Sequence, residues 1–108
     1  MFNPTFQVYV STKDELCVSG RIDITNVAEA RLLGISIMEP MSTVRIDLSG
    51  VQYADSSSLA MLVAWIRSAK VQHKDVTVIN MPQFMLDLGR VCGLDAILPI
   101  DKTLKFHS

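Results

Sequence analysis

This sequence predicts an α/β domain: a mixed sheet of four to five strands with helices packed on it. Three observations predict it. Strand-like and helix-like segments alternate along the chain, a long and unusually apolar helix links two of the strand candidates, and 49% hydrophobic against 19% charged residues in 108 positions supplies one real core. No repeat, linker or low-complexity tract interrupts it, so residues 1–108 are read as a single domain.

Phe6-Gln7-Val8-Tyr9-Val10 alternates apolar and polar side chains, and Ser11-Thr12-Lys13-Asp14 breaks the pattern before Leu16-Cys17-Val18. Two antiparallel strands joined by a polar turn follow, with Gly20 closing the hairpin region. Asp23 to Asn26 offers cap residues for a helix carrying Val27, Ala28, Ala30, Leu32, Leu33 and Ile37, which must stop before Pro40 and is weakened in its second half by Gly34. Val44 to Leu48 reads as a short buried strand. The next helix spans about Ser56 to Gln72, and the β-branched run Val76 to Ile79 forms a strand parallel to the previous one. Pro82 opens a last helix whose buried stripe is Phe84, Leu88 and Val91 with Met85 beside them. Gly93 ends that helix before a short strand at Ile97-Leu98.

Composition excludes several functions. Ten basic and eleven acidic residues leave a net charge of -1 with the basic ones scattered, so no concentrated positive field is offered to nucleic acid or anionic lipid. No apolar run approaches the ~20 residues that cross a bilayer, and Met1 to Thr5 lacks the regions of a signal peptide, so a cytoplasmic location without membrane insertion is expected. Cys17 and Cys92 sit among apolar neighbours without a second Cys or His at ligand spacing, which predicts buried, reduced thiols and no metal. His73, ending the long helix, and His107, in the tail, share no ligand spacing. Neither a G-x-S-x-G elbow nor a phosphate-cradling glycine loop occurs, so the chain reads as non-catalytic, without a cofactor, and is not itself an ATPase.

The most informative stretch is Asp47-Leu48-Ser49-Gly50-Val51 followed by Asp55-Ser56-Ser57-Ser58-Leu59. It resembles the STAS family, the fold of bacterial anti-sigma factor antagonists and sulfate transporter tails. Gly20-Arg21-Ile22-Asp23 is similar to that family's acidic turn before its first helix, and Gly93-Leu94 to its C-terminal glycine-leucine. Within the family, Leu59 to Arg67 with its tryptophan, and Asn80-Met81-Pro82-Gln83, resemble the small cytoplasmic STAS subunit of the Mla phospholipid-trafficking ABC transporter. That resemblance implies an accessory subunit at the inner-membrane face that binds the ATPase subunit, supports its assembly and activity, and contributes to outer-membrane lipid asymmetry. The other branch implies an anti-sigma factor antagonist, in which Ser56 occupies the place of the serine phosphorylated by a partner kinase. Ser58 stands where antagonists usually carry glycine. Sensory members imply a third reading, a small ligand near the serine turn, for which no residue here specifies a pocket.

Residue by residue, the expected partner-binding set is Asp23, Asp55, Ser56, Ser57, Ser58, Met61, Ala64, Trp65 and Ser68. On a helical wheel Leu59, Leu62, Val63 and Ile66 cluster toward the sheet, leaving Ser57, Met61, Ala64 and Ser68 outward with Trp65 on their flank and Arg67 to the side. Either that low-charge face docks a helix of a partner or another part of the domain covers Met61 and Trp65. If it is uncovered, a homodimer through it is expected in the absence of the partner. Ser56 has two readings as well: a phosphosite whose charge beside Asp55 releases a partner, or an unmodified member of a helix-capping turn. Asp23 either shapes the same surface or caps the first helix.

Overall fold

A computed structural model describes residues 5–94 and 96–101. The alternation at the start of the chain produces β1 (Phe6–Val10) and β2 (Leu16–Ile22), paired antiparallel with Val8 opposite Val18. Ser11 holds the turn between them: its N–H donates to the Glu15 carbonyl at 3.0 Å, and its hydroxyl accepts from the Lys13 and Glu15 N–H groups. After β2 come α1 (Val27–Met38), β3 (Thr43–Ala54), α2 (Ser57–Val71), β4 (Asp75–Ile79) and α3 (Gln83–Val91). Strand order is β1-β2-β3-β4, with β2, β3 and β4 mutually parallel, so the sheet is mixed and has four strands.

Two strands are longer than their sequence pattern indicates, for one shared reason. Ser19-Gly20 and Ser49-Gly50 read as turn residues, yet they lie side by side in the β2–β3 ladder, with Ser19 opposite Gly50 and Gly20 opposite Val51. Gly20 does not close a hairpin. It sits at φ +89°, where the β2–β3 register shifts, and a Cβ there would run into the Thr5 carbonyl. Extending β3 to Ala54 delivers Asp55 to the end of the sheet.

Elsewhere the C-terminal expectations need correction. Ile97 and Leu98 form a turn rather than a strand, with the Leu98 N–H donating to the Leu94 carbonyl. The chain meets the sheet slightly later, at Ile100, where the Val78 N–H donates to the Pro99 carbonyl at 2.8 Å and the Asp101 N–H to the Val78 carbonyl at 2.9 Å. On α3 the buried line is Met85 and Gly89, while Phe84 and Val91 are exposed and Leu88 is half-buried. Gly89 faces Leu98, and the helix turns this side rather than its most obvious apolar stripe toward the core. Cys17 is buried as expected, but Cys92 is exposed just past the end of α3. His73 is exposed there too, after α2, whereas His107 lies outside the described residues.

The core lies between the sheet and the helices. Leu16, Val18 and Ile22 of β2, Val44, Ile46 and Leu48 of β3 and Val78 of β4 meet Ala30 and Met38 of α1 and Leu59, Leu62, Trp65 and Ala69 of α2. Each large aliphatic side chain so buried contributes roughly 1.5–3 kcal/mol.

Candidate partner-binding site

Asp55 organises the turn between β3 and α2. Its Oδ1 accepts from the Ser57 N–H at 2.9 Å and from the Ser57 hydroxyl, while Oδ2 accepts from the Ile24 N–H at 3.2 Å. The carboxylate therefore serves the first helical N–H, as a capping side chain should, and ties the turn to the one that precedes α1. These hydrogen bonds to the charged form, led by the Ser57 hydroxyl, hold its pKa below the ordinary value of 3.8, against partial burial and the nearby Asp23 charge.

The three serines have separate roles. Ser58 is buried and donates its hydroxyl to the Asp55 carbonyl at 2.8 Å. Ser57 is half-buried and committed to Asp55. Ser56 is exposed, and its hydroxyl has no hydrogen-bond partner among the described residues. It is the N-cap by position, yet its side chain makes no capping bond: the Ser58 and Leu59 N–H groups donate to the Asp55 and Ser56 carbonyls.

Beside this turn lies a second acidic one. Asp23 Oδ1 accepts from the Thr25 N–H at 2.9 Å and from its hydroxyl, and Oδ2 pairs with Arg21 Nε at 3.0 Å. Thr25 is the leading cause of its lowered pKa. The Arg21 guanidinium in turn stacks over the Tyr53 ring, 4.0 Å from its centroid. Asn26 closes the turn, accepting from the Asp23 N–H at 3.0 Å and donating to the Arg21 carbonyl at 2.8 Å. Thus Asp23 orders the turn that enters α1.

Two apolar residues that sequence reasoning missed flank the pair of turns: Ile24, 73% exposed, and Tyr53, 43% exposed. The available signal was Ile24 itself, an isoleucine inside an otherwise polar turn. An exposed isoleucine among fixed polar groups is a usual contact element of an interface.

The wheel assigned to α2 is corrected by the burial. Met61 and Trp65 are 1% and 0% exposed, and the exposed stripe includes Ala60, Arg67 and Val71. Ala64 and Ser68 are half-buried on its flank, and Arg67 stands on the outward face rather than to the side. The cause is α1, which covers one flank of α2: the Trp65 indole N–H donates to the Arg31 carbonyl at 2.9 Å, and the ring fills the space above Gly34, where any Cβ would overlap it. The helix is thus packed on two sides, and the aromatic belongs to the scaffold. Without Met61 and Trp65 the outward face also lacks the apolar centre that a homodimer through α2 was expected to use.

Of the remaining polar clusters, Glu15, Cys17 and Asp47 have donor atoms within 4.8 Å of one another. Arg45 pairs with Glu15 at 3.4 Å, and Asp47 accepts from the Ser49 N–H and from Asn80. Burial, followed by the Asp47 charge, raises the Cys17 pKa and keeps the thiol protonated.

Comparison with known proteins places this fold. The family model described as Mlab, STAS domain, matches residues 9–99. The chain belongs to the STAS family. Its fold is similar to that of an anti-sigma factor antagonist from Mycobacterium paratuberculosis, at TM-score 0.77 and 22% identity over 92% of this chain and 87% of that one. An anti-sigma-factor antagonist (STAS) domain protein from Planctomyces limnophilus matches at TM-score 0.69 and 20% identity over 88% and 87% of the two chains. The Bacillus cell fate determinant SpoIIAA in its phosphorylated form matches at 0.63 and 18% over 90% and 91%. Comparison with curated proteins finds no match.

Proposed function

We propose that this STAS domain is a non-catalytic accessory subunit of a lipid-transport ABC transporter. In this reading it binds the cytoplasmic ATPase subunit at the inner-membrane face, supports its assembly and activity, and contributes to outer-membrane lipid asymmetry. The family model's Mlab description supports the transporter branch. The observation that carries the docking surface is the pair of fixed acidic turns. Asp55 and Asp23 are held by their own neighbours, which leaves Ser56, Ile24 and Tyr53 presented on a rigid frame beside the small side chains of Ala60 and Ala64. Small outward residues admit a partner helix at close range, and rigid polar turns limit the entropy lost on docking.

Co-purification with the ATPase tests the reading. Ser56→Glu and Ile24→Glu are expected to abolish capture while leaving the fold intact, and retained capture in both overturns the placement. A second reading rests on the exposure of Ser56: as an anti-sigma factor antagonist, the chain is phosphorylated there by a partner serine kinase. A phosphate would meet Asp55 across a short distance and disfavour a docked partner. Intact-mass measurement after incubation with the cognate kinase and ATP separates the two, since stoichiometric phosphate on Ser56 that blocks kinase binding favours the antagonist.

A further inference from the structure

We propose that β1 is a self-pairing edge, through which two copies of this chain join antiparallel about Val8 into one continuous sheet. The inference is independent of the ATPase reading. The two outer edges of the sheet are treated differently: beyond β4 the chain's own residues 99–101 bond to Val78, whereas no described residue pairs with the outer side of β1.

The direction of the backbone groups specifies the partner. In an antiparallel ladder a residue's N–H and C=O point the same way and alternate along the strand. The Arg21 N–H donates to the Thr5 carbonyl and the Ser11 N–H to the Glu15 carbonyl, so the odd-numbered positions turn toward β2. Phe6, Val8 and Val10 therefore turn their N–H and C=O groups outward. These positions are symmetric about Val8. A second copy rotated about that residue places Val8 opposite Val8 and Phe6 opposite Val10, each pair exchanging two hydrogen bonds.

Side chains agree with that register. From Phe6 to Thr12 the edge carries no charge, no proline and no bulge, which are the features that ordinarily block edge-to-edge pairing. Val10 is 46% exposed although it is apolar, and pairing sets it against Phe6 of the other copy. Leu33, 40% exposed, lines the groove along Thr5 to Tyr9 together with Asn26 and Glu29, so each copy also brings a partly exposed leucine to the edge. A five-residue strand pair with these leucines stays under the ~1,200 Å² of a stable interface, so the dimer is weak and concentration-dependent.

Sedimentation equilibrium of the purified chain from about 10 µM to about 1 mM is expected to show a reversible shift from monomer to dimer. Over the same range the Phe6, Val8 and Val10 amides should gain protection from hydrogen exchange. Val8→Pro removes an outward N–H without taking a bond from the β1–β2 ladder, and Val10→Lys places like charges near the joint; both should remain monomeric with unchanged circular dichroism. A wild type that stays monomeric throughout, or a dimer that survives in both variants, overturns the proposal.

Discussion

The two ends of one side of α2 teach different lessons. Its middle, at Met61 and Trp65, carries the large apolar side chains that usually mark an interface, yet it is sealed beneath α1. The turn that opens it carries three serines, of which Ser56 reaches solvent on a fixed frame, with Ile24 and Tyr53 beside it. Size and apolarity locate the scaffold here; the proposed contact surface rests instead on fixed polarity beside an exposed apolar residue.

Breaking the middle should have the largest effect on the fold. Trp65→Ala leaves a void between α1 and α2 and removes the indole's bond to the Arg31 carbonyl, with an expected loss of about 3–5 kcal/mol in denaturant unfolding. Gly34→Ala should destabilise by about 1–3 kcal/mol, because the added methyl has to displace the buried indole from the α1–α2 contact. In both, any loss of partner binding should follow the loss of folded protein.

Changes at the turn separate stability from binding. Asp55→Ala removes the acceptor of the Ser57 and Ile24 N–H groups, and about 1–2 kcal/mol should be lost on the scale of a helix-capping substitution. The same carboxylate gives a pH dependence whose sign is fixed. Its pKa is lowered in the folded chain, so its contribution is present above the ordinary value of 3.8 and is lost as pH falls through the lower folded value. Thermal unfolding followed into acid should show a decline below that value that is shallower in Asp55→Asn. Ser56→Glu should have the smallest effect on the fold, within about 0.5 kcal/mol, because the Ser56 side chain is exposed and bonds to nothing in the turn.

Much of the fold was legible in the sequence. Alternation placed β1, the β-branched run placed β4, and the cap residues with the long apolar run placed α2 to within a residue at each end. What escaped depends on neighbours distant in the chain. Ser19-Gly20 and Ser49-Gly50 each look like a break in isolation, and only their mutual pairing makes them strand. The rotation of α2 is set by the glycine at 34, which lets the indole lie against α1, and no period within α2 encodes that. In α3 the buried side is likewise Met85 and Gly89, next to Leu98, rather than the stripe of Phe84, Leu88 and Val91. At the candidate site, the hydrogen-bonded turns at Asp23 and Asp55 were legible as polar cap-type sequence. Ile24 and Tyr53 were not, since their exposure follows from the extension of β3 and the joining of two turns by a single hydrogen bond from Ile24 to Asp55.

The most direct test of the contact surface is titration calorimetry of the ATPase subunit into the wild type and into Ile24→Glu, with unfolding temperatures recorded in parallel. Burying an unpaired charge at the centre of the contact should weaken binding by at least about thirtyfold, the scale of an interface hot spot, with the unfolding temperature unchanged. Wild-type affinity in the folded Ile24→Glu variant would contradict a docking surface centred on the Asp55 and Asp23 turns.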